Sequence, residues 1–168
     1  MSDDAPVLVM EITVIEAAHL RGLAAQFVEL LEGSDAASAS DPAVRRLVPD
    51  AYPGDDAASA EFRRLTGDNL LRRRAAEARA MMATLDRTGA LPQAPDIDDA
   101  VGLAVRTVSL TADEAASWVR TLAAVRLVMA SRLGIDREDD HSPDDPRFLL
   151  YDWIGGRLDG MVAALDRG

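Results

Sequence analysis

Residues 12–20 read ITVIEAAHL and residues 110–118 read LTADEAASW, and the architecture follows from what these two similar stretches have in common. In each, a threonine is followed three residues later by a glutamate, at Thr13–Glu16 and at Thr111–Glu114. This is the spacing of a capping box, in which the threonine hydroxyl and the glutamate carboxylate each accept from the other residue's backbone N–H. Both stretches therefore predict the start of a helix.

An apolar run precedes each predicted helix start. Residues 7–12 read VLVMEI and residues 105–110 read VRTVSL, and both runs are long enough for a strand but too short for a helix. Pairing of 7–12 with 105–110 would bring the two following helices to the same side of a small sheet. We therefore predict a two-stranded β element followed twice by a helix, and no true duplication, because the similarity fades after these few residues.

Apolar side chains at three- and four-residue spacing, together with glycine and proline stops, predict the other helices. At 168 residues the chain fits one domain, predicted to span residues 1–168. The expected fold class is mainly α, with about five to six helices and the small two-stranded element. The predicted helices cover residues 13–33, 42–47, 57–65, 68–88, 112–133 and about 147–165.

Composition excludes several classes of function. The chain has no cysteine, which excludes disulfides, a thiol nucleophile, a zinc–thiolate site and a thiol redox switch in this chain. The acidic start MSDDAP does not resemble a secretory signal and no apolar run is long enough to cross a membrane, so we expect a cytoplasmic protein with no membrane partner. The net charge of −11 opposes nonspecific binding to nucleic acid.

Residues 43–87 form the only net positive part of the chain, with nine arginines and seven acidic residues. The predicted helix, turn and second helix across FRRLTGDNLLRRRAAEA outline a helix-turn-helix. The alternative is a solvated helix surface in which Arg73 pairs with Glu77. The candidate partner- or nucleic-acid-binding residues are Arg63, Arg64, Arg72, Arg73, Arg74 and Arg79.

The remaining polar residues do not predict catalytic or metal chemistry. The acidic stretch 136–145 lacks the spacing and the glycine of a calcium loop, and we interpret it as a solvated loop, with no metal and no cofactor. His19 lies near an apolar helix stripe without a serine or cysteine partner in any motif, so we predict no catalytic role. Arg126 and Arg132, if buried, need carboxylate partners.

Apolar and small residues of the later helices predict packing. Trp118 and Trp153 lie at core spacing on their helices. The last helix has a broad apolar face and the pair Gly156 and Gly160, whose spacing permits a close helix approach. We therefore expect residues 148–165 to dock centrally or to form a homodimer.

Three segments resemble a family of actinobacterial proteins that was long known only as a domain of unknown function. They read DAYPGDDAASAEFRRLTGDNL, WVRTLAAVRLVMASRLGI and YDWI, and they include Tyr52, Phe62, Arg126 and Tyr151. The resemblance implies a link to AosR-like regulators of the oxidative-stress response, which are associated with sigma-factor contact and with cysteine-biosynthesis genes. It also implies that the family's activity depends on an N-terminal cysteine pair, which residues 1–12 do not contain.

The leading hypothesis from the sequence is a non-enzymatic regulatory protein. It would contact a sigma factor or RNA polymerase, with DNA contact through the arginines of 63–79 as an additional option. One alternative is a ligand-binding or enzymatic protein of sulfur metabolism. The other is a homo-oligomeric adaptor subunit.

Overall fold

The computed structural model describes residues 5–34, 40–93, 98–137, 141–142 and 144–167. Within these ranges the chain is mainly helical, with six α-helices and one two-stranded antiparallel sheet, as the sequence predicts. The elements are β1 (Leu8–Thr13), α1 (Val14–Glu32), α2 (Pro42–Leu47), α3 (Asp56–Asp86), α4 (Asp99–Gly102), β2 (Val105–Leu110), α5 (Ala112–Leu133), a 3-10 helix (Pro146–Phe148) and α6 (Leu149–Leu165).

Both predicted capping boxes are present. At α1 the Thr13 N–H donates to Glu16 Oε2 at 3.0 Å, and the Glu16 N–H donates to Thr13 Oγ1 at 3.3 Å. At α5 the corresponding distances between Thr111 and Glu114 are 3.0 and 3.4 Å. The four side chains therefore define the junctions at which each strand passes directly into a long helix.

The predicted strand pairing is confirmed, with β1 displaced by one residue from the predicted 7–12. The strands run antiparallel, with Leu8 opposite Leu110 and Thr13 opposite Val105. Because side chains alternate between the faces of a sheet, one face buries Leu8, Ile12, Val108 and Leu110 against the helices. The other face is exposed.

The predicted break at residues 66–68 is wrong, because α3 is one helix of 31 residues. A glycine inside a helix costs only about 1 kcal/mol relative to alanine, which is small beside the packing of a long helix. Here Gly67 is buried, and Thr66 Oγ1 donates to the Phe62 carbonyl at 2.8 Å within the helix. A continuous α3 rules out a helix-turn-helix in this segment.

One short helix, α4, lies outside the predicted helices, and a 3-10 helix forms the start of the last predicted one. α4 has only four residues, with Asp98 accepting from the Val101 N–H at 2.9 Å as its cap, and so few residues show no periodic apolar pattern. The 3-10 helix at Pro146–Phe148 leads directly into α6, close to the predicted start at Arg147.

The core lies between the sheet and the long helices. α3 packs against α1 and α5, and α5 also contacts α2 and α6. Trp118 of α5 is buried, as predicted, and its Nε1–H donates to Thr84 Oγ1 of α3 at 2.8 Å, while Trp153 is partly buried against the same core. Across the described ranges, every helix is too short or too polar to cross a membrane.

Candidate interaction surface

α3 carries all six of the predicted binding arginines but does not gather them on one face. Successive residues of an α-helix are rotated by about 100°. Arg63 and Arg74 consequently share one side, where Arg63 forms an ion pair with Asp50 and Arg74 Nη2 donates to the Leu47 carbonyl at 3.4 Å. Burial lowers the pKa of Arg74.

Arg64 and Arg73 lie on two further sides of α3. Arg64 holds Glu61 at 2.6 Å, and this hydrogen-bonded pair lowers the pKa of Glu61 and raises that of Arg64. Arg73 contacts Glu77 at 3.4 Å, as the alternative interpretation of the sequence predicts, and Arg120 of α5 contacts the same carboxylate at 3.2 Å. These charges are thus largely matched by neighbouring carboxylates.

Arg72 and Arg79 face away from Arg63, towards the C-terminal end of α1. They line an open cleft of about 650 Å³, whose lining also includes Asp68 and Glu32. Arg79 forms an ion pair with Glu32. The six arginines therefore occupy several sides of α3, with acidic groups beside most of them, and do not form one continuous basic surface.

An exposed apolar surface lies at the start of α3, where the sequence interpretation placed only charges. We call Tyr52, Phe62 and Leu65 the α3 apolar patch; they are 53%, 40% and 65% exposed. The Tyr52 and Phe62 rings meet edge to face, with centroids 6.2 Å apart and planes at 85°. Leu65 follows Phe62 by three residues and so lies on the same side of the helix.

The α3 apolar patch is held in place from beneath. Ser59 is 2% exposed, and its hydroxyl donates to the Tyr52 carbonyl at 2.9 Å and accepts from the Tyr52 N–H at 3.2 Å. These bonds fix the loop that carries Tyr52 onto the first turns of α3. An exposed aromatic pair on a fixed backbone loses little conformational entropy when a partner binds.

The His141 side chain is largely buried against neighbouring side chains, whereas the sequence predicted that it lies in a solvated loop. It is 8% exposed, its Nε2 lies 2.7 Å from Asp152 Oδ1 of α6, and its ring contacts that of Phe148, with centroids 4.5 Å apart and planes tilted by 40°. Tyr151 meets the His141 ring edge to face, and the Arg126 guanidinium lies 4.4 Å from the centre of the Tyr151 ring. Residues 138–140 and 143 of the predicted acidic loop lie outside the described ranges.

The other predicted polar residues make local contacts. His19 is exposed, and its Nδ1 donates to the Ile15 carbonyl at 2.8 Å, one turn earlier in α1. Arg132 finds the carboxylate partner that the sequence could not name, Asp41, with two bonds of 2.6 and 3.0 Å. Among the described residues, no three metal-binding side chains converge.

Comparison with known families gives one match, which covers nearly the whole chain. The family described as "Domain of unknown function (DUF2017)" matches residues 1–165. The chain belongs to the DUF2017 family. No curated protein and no solved structure matches this DUF2017 chain. The match thus establishes the family, and the link to AosR-like regulators remains a proposal.

Four of the residues that carried the resemblance, Tyr52, Phe62, Arg126 and Tyr151, lie in two separate contacts of the DUF2017 chain. One is the α3 apolar patch, which contains Tyr52 and Phe62. The other joins Arg126 of α5 to Tyr151 of α6 through the stacking contact. The sequence shows these residues as separate blocks, and only the fold shows that the second pair forms one packed contact between two helices.

The glycines of α6 in the DUF2017 chain have different surroundings. A Cβ at Gly156 or Gly160 would meet nothing within 4 Å, so within the described chain neither glycine packs against another element, and their contact with a second copy stays a prediction. Gly155 packs closely: a Cβ there would lie 3.0 Å from Arg126 Nε and 3.2 Å from its Cζ. The Arg126 side chain therefore depends on the missing side chain at Gly155.

We expect opposite results from alanine at these neighbouring positions. Gly156→Ala should raise the free energy of unfolding by about 0.5–1 kcal/mol, because alanine is the better helix former and the space is open. Gly155→Ala should show no such gain, because Arg126 must move. Urea unfolding of both variants measures the difference, and an equal gain at both positions would show that Arg126 does not pack against α6.

Proposed function

We propose that this chain is a non-enzymatic regulatory module that binds a protein of the transcription machinery, a sigma factor or an RNA polymerase subunit, through the α3 apolar patch. The observation that carries the proposal is the exposure of Tyr52, Phe62 and Leu65 together on a fixed backbone. Grouped exposed apolar side chains are typical of binding sites. Aromatic residues and arginine are also the types that contribute most to protein interfaces.

The charges around the patch favour a protein partner over DNA. The Arg64–Glu61 pair lies beside the patch, and Arg63 is paired with Asp50, so little positive charge remains to contact phosphates. A duplex carries a dense row of phosphates and requires several uncompensated cations for tight binding. The chain as a whole carries −11. We therefore propose protein contact without direct DNA binding by the arginines of α3.

The resemblance to AosR-like regulators supports the choice of partner. It implies sigma-factor contact, and the residues that carry it include Tyr52 and Phe62, which are exposed rather than buried. With no cysteine in the chain, the proposed regulation acts through the partner and not through a thiol switch.

Affinity capture tests the proposal. The tagged full chain is used to capture partners from native lysate of its source organism, with and without an oxidant, and bound proteins are identified by mass spectrometry. We expect a sigma factor or RNA polymerase subunit in both conditions. Recovery of neither would contradict the proposal.

A homo-oligomeric adaptor is the second candidate, and the exposed side of α6 favours it. Leu149 and Leu150 at the start of α6 are 60% and 39% exposed, and Gly156 and Gly160, which share a side of the helix with Leu149, leave open space. Small residues flanked by apolar side chains allow two helices to approach closely. This surface fits a second copy of the chain within residues 148–165.

Light scattering distinguishes this candidate. We expect the mass of a dimer for the wild type, because the exposed apolar side chains of α6 would be buried on pairing. Leu149→Glu should give a monomer, whereas Leu103→Glu, at an equally exposed leucine before β2, should leave the mass unchanged. A monomeric wild type at high protein concentration would remove the candidate.

A further inference from the structure

The outer edge of β1 is open in the part of the chain that the structure describes. The Val14 N–H donates to the Ala104 carbonyl at 2.9 Å in continuation of the ladder, so alternate residues of β1 bond to β2, and Val9 and Glu11 between them do not. Their N–H and C=O groups point away from β2, as does the Thr13 N–H that forms the capping bond. Within the described ranges, no hydrogen bond reaches the backbone groups of Val9 and Glu11.

The outer edge of β2, in contrast, is covered by the end of α3 and the turn that follows it. Arg87 Nη2 donates to the Ser109 carbonyl at 3.4 Å. Arg106 donates to the Thr88 and Ala90 carbonyls at 2.9 and 3.1 Å, which holds that turn beside the strand. The sheet can therefore be extended at β1 and not at β2.

The side chains beside the open edge are apolar. Val7 and Val9 are 53% and 59% exposed on the outer face of the sheet, where the side chains of an added strand would lie. Edge strands are commonly protected from pairing by lysine, proline or a bulge. β1 reads LVMEIT and keeps an unbroken register, so it has none of these. The edge thus offers both backbone bonds and apolar contacts to an extended segment.

The charge on this face selects the kind of segment. Glu11 is the one charged residue among the outward-facing residues of the two strands, and it is exposed. Opposite charges on neighbouring strands stabilise their pairing, and like charges destabilise it. A second copy of the chain would bring another net charge of −11 to the same place, which opposes self-pairing.

We infer that β1 binds an extended segment of another protein by strand addition, with an apolar side chain beside Val9 and a lysine or arginine beside Glu11. In this mode the main-chain bonds supply affinity, and alternate side chains supply specificity. The site lies on the sheet, and the inference is independent of the partner contact proposed for the α3 apolar patch.

Amide hydrogen exchange of the full chain, followed by NMR, tests whether the edge is open. We expect fast exchange at Val9 and Glu11 and slow exchange at Met10, whose N–H bonds to β2. Slow exchange at Val9 and Glu11 in the unbound chain would show that the edge is already covered. Protection that increases with protein concentration would assign the edge to a second copy. Either result would overturn the inference.

Titration with two synthetic peptides, TVTKTVT and TVTETVT, tests the binding. We expect saturable binding of TVTKTVT, with slowed exchange at Val9 and Glu11, and at least about threefold weaker binding of TVTETVT. Absence of saturable binding of TVTKTVT, or binding that leaves both amides in fast exchange, would contradict strand addition at β1.

Charge variants separate a local effect of Glu11 from the charge of the whole protein. Glu11→Lys should abolish the preference for TVTKTVT. The matched control Glu29→Lys, at an exposed position near the end of α1, makes the same change in net charge and should keep the preference. Val9→Pro removes one outward N–H, keeps the bonds to β2, and should weaken both peptides at least about threefold. A preference that survives Glu11→Lys, or that Glu29→Lys abolishes equally, would overturn the inference even if the proline variant does not fold.

Discussion

Trp118→Ala is expected to lower the free energy of unfolding by about 3–5 kcal/mol, the range for removing a large buried aromatic side chain. Trp118 is 1% exposed and lies on the helix that contacts α2, α3 and α6. The substitution leaves a cavity at the centre of the core. It also removes the indole Nε1–H, which donates to Thr84 Oγ1 at 2.8 Å. The Thr84 side chain is itself buried and would lose this partner.

Trp118→Phe separates the two losses. Phenylalanine retains much of the ring volume but cannot donate to Thr84, so we expect a smaller loss of about 1–3 kcal/mol. Chemical denaturation followed by circular dichroism measures both variants. If Trp118→Ala lowers the free energy of unfolding by less than about 1 kcal/mol, α3 and α5 do not pack together at this side chain.

Leu65→Glu is expected to weaken binding of the captured transcription partner by at least about tenfold, or roughly 1.4 kcal/mol. Leu65 is 65% exposed and belongs to the α3 apolar patch, so a charge there would be buried without a partner in the complex. Phe62→Ala should give a comparable loss because it removes half of the aromatic pair.

The stability of the chain should not change with these substitutions, since the side chains are exposed in the unbound protein. Leu103→Glu is the matched control: it introduces the same charge at a leucine that is 69% exposed before β2. Surface plasmon resonance with the purified partner gives the affinities. Equal weakening by Leu65→Glu and Leu103→Glu would point to a general charge effect and contradict a specific role for the patch.

Local signals in the sequence predicted the framework of the fold. The capping boxes at Thr13 and Thr111 depend on residues only three positions apart, so they can be recognised without knowing the tertiary structure. The stop at Gly134 is equally local, because its φ of 72° is one that glycine adopts readily. The sheet followed from the two apolar runs before these boxes.

The continuity of α3 was not predictable from local signals. The TGD triplet resembles a break, but the helix is supported by packing against α1 and α5 through residues on both sides of Gly67. With the break assumed, the arginines of 63–79 fall on two short helices and outline a helix-turn-helix. On one continuous helix their spacing distributes them around the axis.

The candidate site was predictable only in part. Phe62 and Leu65 are not among the buried positions of α3, and a continuous helix would have predicted this from their spacing. Tyr52 lies beside them only because its backbone is bonded to Ser59, a contact that the sequence does not show. His141 was placed in a solvated loop because its partner Asp152 is eleven residues away on another element. Contacts of this kind depend on tertiary structure, which a single sequence does not state.

Site-specific photo-crosslinking in the source organism tests whether the α3 apolar patch contacts the transcription machinery. A photoreactive phenylalanine analogue replaces Tyr52, within the patch, or Leu103, outside it, and crosslinked proteins are identified after irradiation. We expect an adduct with a sigma factor or an RNA polymerase subunit from position 52 and none from position 103. An adduct with that machinery from position 103 alone, or none from either position, would contradict it.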